Sequence, residues 1–107
     1  MKVADAIGAQ LDWMVAKCEG TLPASYDDWK QTWPRYSTDW AQGGPIIERE
    51  NISVGYQGHL GVPLDSLWYA TNRVDACGFG PTPLIAAMRC YMASKLGNQI
   101  NVPEELL

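Results

Sequence analysis

Residues 78–97 constrain the fold more than any other stretch, because both ends of one helix are written into them. Gly78-Phe79-Gly80-Pro81-Thr82-Pro83 is followed by an apolar segment that runs to Gly97. Thr82 is a good N-cap, and Pro83 suits the first helical position, where a missing N–H costs nothing. Lys95 complements the C-terminal dipole, and Gly97 can close the helix. Ile85, Met88, Met92 and Leu96 recur at helical spacing, Leu84 and Tyr91 widen that face, and Arg89 falls off the stripe. A helix of this length needs an apolar partner surface, so the rest of the chain has to supply one.

An alternating segment supplies it. Ile52, Val54 and Tyr56 alternate with Ser53 and Gly55, the pattern of a half-buried strand. Residues 57–65 contain Gly58, Gly61 and Pro63 and read as a hairpin connection. Leu67–Thr71 returns as a second, aromatic-rich strand, and Cys77–Phe79 adds a short third. At the N-terminus, Asp5 to Cys18 reads as a helix capped by Asp5 and stopped by Gly20. Its apolar stripe is Ile7, Leu11, Met14, Val15 and Cys18. Gly8 is unfavourable inside a first turn, which points to a close backbone approach or to fraying. Ser25 with Asp28 resembles a cap for a short helical turn over Tyr26–Trp33, and Pro45 can start one or two turns over Ile46–Glu50. The expected fold is a small α+β domain over residues 1–107: N-terminal helix, irregular aromatic segment, short antiparallel sheet, C-terminal helix, and a loose tail after Pro103.

Composition narrows the function. A net charge of -4 argues against a nucleic-acid binder, which would carry a basic patch. No apolar run reaches the ~18 residues of a membrane span. The N-terminus lacks the apolar stretch of a signal peptide, so a cytoplasmic protein is expected. Cys18, Cys77 and Cys90 show no metal-ligand spacing and read as reduced, buried thiols; the lone His59 sits among glycines, and neither a metal nor a cofactor is expected.

Three segments carry a family resemblance: Leu11-Asp12-Trp13-Met14-Val15-Ala16-Lys17-Cys18-Glu19-Gly20, Ser37-Thr38-Asp39-Trp40-Ala41-Gln42-Gly43-Gly44-Pro45-Ile46-Ile47-Glu48-Arg49-Glu50, and Gly80-Pro81-Thr82-Pro83-Leu84-Ile85-Ala86-Ala87-Met88-Arg89. Through them the chain resembles the NinX-like phage proteins, short proteins of phages and prophages. The resemblance implies an accessory phage protein, expressed in the cytoplasm of an infected bacterium, and brings no catalytic motif with it. The chain departs from the pattern at Ile7, where a Ser or Thr is expected before the glycine of the first helix.

The residues themselves suggest an anion site. Gly43-Gly44-Pro45 and Gly78–Pro83 each run into an expected helix start, where free N–H groups attract phosphate and glycines allow close approach. Beside them stand Arg35, Tyr36, Ser37, Thr38, Asp39, Trp40 and Arg49. Aromatic faces can stack a base, and Arg can pair bidentately with phosphate. A pocket for a small, phosphate-bearing, nucleotide-like ligand would combine Arg35 to Trp40, Gly43, Gly44, Arg49, Gly80 and Thr82, roofed by Tyr69 and Arg89. The bland alternative is that the loops are ordinary turns and the aromatics plug the core. Five Trp and five Tyr also admit a protein-binding surface of Trp29, Trp33, Trp40 and Trp68, gripping a host protein. A homodimer through an edge strand is a further expectation. A nucleotide hydrolase is the third and least expected reading: Asp39 with Glu48 could supply paired carboxylates, whereas Glu48 and Glu50 point to different sides of a helix and are not expected to act together.

Overall fold

The computed structural model describes residues 1–73 and 75–107. Its elements run α1 (Ala9–Glu19), α2 (Tyr26–Thr32), α3 (Trp40–Arg49), β1 (Ser53–Tyr56), β2 (Trp68–Thr71), β3 (Cys77–Gly80) and α4 (Pro83–Leu96). The strands form an antiparallel meander in the order β1-β2-β3, and α4 lies across one face of it while α1 and α3 pack on α4. The α+β reading and the order of its parts therefore hold.

α4 begins as its sequence dictates. Thr82 Oγ1 accepts from Ile85 N–H at 3.1 Å, Pro83 opens the helix, and Gly97 ends it at φ 79°. The amphipathic reading is corrected, because Leu84 through Met92 are all buried, Arg89 included. A helix enclosed by sheet, helices and N-terminal segment has no solvent face to keep polar.

The N-terminal helix starts later than expected. Asp5 ends a 3-10 turn over Val3–Asp5, and Gly8, at φ 59°, is the residue that precedes α1. Nothing crowds Gly8, so its glycine is required by the left-handed backbone rather than by a close approach. Ile7 is exposed, whereas Leu11, Met14 and Val15 are in the core. Gly20 closes α1 in the left-handed conformation, as the sequence implies.

α3 departs most. Its cap is Asp39, which accepts from Ala41 N–H at 2.9 Å, so the helix starts at Trp40 and carries Gly43, Gly44 and Pro45 in its interior. Gly43 is there for packing: a Cβ would overlap the Tyr36 carbonyl oxygen and the Leu84 Cδ1 methyl. At the opposite end the tail is seated. Leu106 is buried in a 3-10 turn, and Gln10 Nε2 donates to its carbonyl at 2.6 Å. No helix among the described residues is long and apolar enough to cross a membrane.

Candidate functional site

Two arginines anchor different neighbourhoods of α4. Arg49, at the end of α3, makes a fork-to-fork pair with Glu19 (Nη1–Oε1 3.0 Å, Nη2–Oε2 2.7 Å) and donates from Nε to Glu50 at 3.0 Å. Tyr91 donates to the same Glu19 carboxylate, and Lys95 pairs with Glu50 at 3.2 Å. The Arg49 guanidinium holds both Glu19 and Glu50 below the usual carboxylate value. Burial first, then the bond to Glu19, pushes the Tyr91 phenol up. This network ties the ends of α1 and α3 to α4.

Arg89 stands two residues before Tyr91, which puts it about 200° around the helix axis. Arg49 and Arg89 therefore cannot close on one ligand, and the composite pocket expected from the sequence divides. Arg89 is only 3% exposed. Its Nε donates to Ala6 O at 3.0 Å and its Nη1 to Phe79 O at 2.7 Å, with both Asp65 oxygens at 3.2–3.3 Å. Two glycines make that geometry possible. A Cβ on Gly78 would overlap Ala86 O and Cys90 N, and one on Gly80 would crowd Ala86 N. Bare β3 thus lies directly on the α4 backbone, bringing the Phe79 carbonyl to the guanidinium. Gly80 serves close packing, and Thr82 caps α4 beside it.

Arg89 lines a cleft of about 690 Å³, with Lys2–Asp5, Asp65, Cys77–Phe79, Ala93, Asn98 and Gln99 among its walls. Its N-terminal wall is fixed by Val3 N–H donating to Asn98 O at 2.9 Å and by reciprocal bonds between Met1 and Ile100, each 3.0 Å. Lys2, Asn98 and Gln99 are exposed at the rim. The volume is within the range of small-molecule sites, ~300–1,000 Å³. Cys77 is exposed here, contrary to the expectation of buried thiols, while burial pushes the Cys90 thiol up to about 11.

The aromatic segment is organised from inside. Asp12, 1% exposed, accepts from Trp33 Nε1 at 2.9 Å and from Ser37 N–H at 2.8 Å. Sequence reasoning missed Asp12; its signal is one carboxylate inside the otherwise apolar run Leu11–Ala16. Ser37 is buried, Asp39 caps α3 and also accepts from Gln42 Nε2, and Tyr36 Oη meets Thr21 Oγ1 at 3.2 Å. Arg35 lies over the Trp33 ring at 4.0 Å, and Thr38 is exposed. Of the four tryptophans expected on a surface, Trp29 is in the core, Trp33 and Trp68 are partly buried and Trp40 is exposed. Tyr69 faces away from α4, on the side of the sheet opposite the buried Ala70, so it does not roof Arg89.

The family model described as Bacteriophage P22, NinX matches residues 2–95, which takes in both arginines and most of the cleft wall. No curated protein matches the chain.

Proposed function

This chain belongs to the bacteriophage P22 NinX family, and from that premise we propose a non-enzymatic phage accessory protein that holds a small, phosphate-bearing, nucleotide-like ligand. The site is the cleft above Arg89 rather than the Trp40–Gly44 region. One observation carries the reading: a nearly buried guanidinium lines a 690 Å³ cleft whose rim carries Lys2 and the side-chain amides of Asn98 and Gln99. Nε and Nη1 of Arg89 are held by Ala6, Phe79 and Asp65, while its second terminal nitrogen, Nη2, has no hydrogen-bond partner among the described residues and is the donor left to meet a phosphate oxygen. Amides at the rim can read the edge of a base or a ribose hydroxyl. In an infected bacterium such a protein would hold back a signalling nucleotide of host defence, acting in the cytoplasm.

Mass spectrometry of small molecules released on denaturing the protein, purified from infected cells, tests this. The expected result is a stoichiometric phosphate-bearing species, lost or depleted in Arg89→Met and in Lys2→Ala. Lys2 is exposed, so its variant separates lost binding from lost folding. Trp40→Ala should retain the species. An empty wild-type protein, or one loaded equally in all three variants, overturns the reading.

A further inference from the structure

Of the sheet's two edges, that of β3 is engaged, and that of β1 has no backbone partner among the described residues. Gln57 N–H donates to Leu67 O at 2.8 Å, which marks 57↔67 as a hydrogen-bonded pair continuing the β1–β2 register. Antiparallel pairs alternate, so Gly55 and Ser53 bond to β2 while the backbone groups of Val54 and Tyr56 point outward. The same logic at β3 starts from Asn72 N–H donating to Ala76 O at 3.2 Å and turns Cys77 and Phe79 outward. There the Phe79 carbonyl meets Arg89 and the edge borders the cleft. At β1 the outward groups of Val54 and Tyr56 have no hydrogen-bond partner among the described residues.

The geometry points to β1 as the interface for a second copy of this chain, paired antiparallel about a two-fold axis at Gly55. The strand is self-complementary in that arrangement: Val54 of one copy exchanges both backbone bonds with Tyr56 of the other, and the axis repeats the exchange. The edge carries none of the usual guards against pairing, having no charge, no proline and no bulge over Ser53–Tyr56. Its outward residues, Val54 and Tyr56, are exposed apolar side chains, and each would face the other type across the axis. Gly55 contributes no side chain to crowd its counterpart; instead the tip of Tyr69 lies over it. Pairing therefore brings Tyr69 of both copies to the axis and joins the Phe79–Tyr69 row of each into one aromatic row on the open face of a six-stranded sheet. This inference goes beyond the ligand cleft and does not depend on it.

Val54→Pro is the direct test, because the Val54 N–H serves the edge and not the β1–β2 ladder. In sedimentation velocity the full-length wild-type chain should weigh as two copies at micromolar concentrations. Val54→Pro should weigh as one, with unchanged circular dichroism. Should the proline variant fail to fold, Tyr56→Lys decides, since it sets one lysine on each side of the axis and is likewise expected to weigh as one copy. A wild type that weighs as one copy up to the highest soluble concentration overturns the proposal. So does a folded Val54→Pro or Tyr56→Lys that still weighs as two.

Discussion

The end of the molecule built from α1, α2 and α3 uses its polar groups internally, whereas the end built from β3, the N-terminal turn and Arg89 leaves groups facing a cleft. At the first end Asp12, Asp39, Arg49 and Glu19 are all bonded to backbone or to one another. At the second, Arg89 is anchored by two carbonyls and still lines open volume, with Asp65 as its exposed counter-ion. A residue type alone does not separate the two cases. Both ends hold an arginine, an aspartate and an aromatic ring, and what differs is whether the neighbouring elements satisfy them.

That contrast is broken most forcefully at Asp12. Asp12→Ala removes the acceptor of two N–H groups, Trp33 Nε1 and the Ser37 backbone, inside a buried site. Each orphaned donor costs about 1–3 kcal/mol, so a loss of about 3 kcal/mol or more is expected, a large part of the ~5–15 kcal/mol typical of a domain. Asp12→Asn keeps one carbonyl acceptor and should cost roughly half as much. Urea unfolding followed by tryptophan fluorescence measures both. If Asp12→Ala unfolds like wild type, the helical end is not organised by this carboxylate.

Gly43 comes next and shows what the sequence could and could not reveal. The caps of α4, the Ser25 cap of α2, the left-handed Gly20 and the three strands were legible, because each depends on residues within a few positions. The role of Gly43-Gly44 was not, since a glycine pair before a proline reads equally as a turn or as a helix flattened against a neighbour. The deciding partners, the Tyr36 carbonyl and Leu84, lie 7 and 41 positions away. Arg89 was legible only as a residue off the apolar stripe of α4, because its burial and its cleft depend on the N-terminal turn, β3 and the segment after α4 meeting in space. In an open helix Gly43→Ala would gain up to ~1 kcal/mol from propensity. Here the added methyl overlaps a backbone carbonyl, so a net loss of about 1–3 kcal/mol is expected. A thermal melt lower than wild type confirms it, and a higher one would return Gly43 to a loop-like role.

The smallest effect, and the one that sharpens the contrast through pH, belongs to the Glu19–Arg49–Tyr91 network. Glu19 and Glu50 have folded pKa values below 4.5, so their contribution to stability is complete above that value and is lost as pH falls through the folded values. Tyr91 is shifted the other way: its contribution is complete below pH 10.0 and is lost as pH rises through its higher folded value. Stability against urea should therefore be flat between these limits and slope down on both sides. Glu19→Gln should flatten part of the acid slope, and Tyr91→Phe the alkaline one. Because the Arg49 side chain is 51% exposed, water screens the pair and the cost of Glu19→Gln at neutral pH is about 1 kcal/mol. Loading of the ligand proposed for the Arg89 cleft should not change in either variant, for the network lies on the other side of α4. A Glu19→Gln protein that keeps its stability but loses the small molecule proposed for that cleft would show that the two ends work as one site after all.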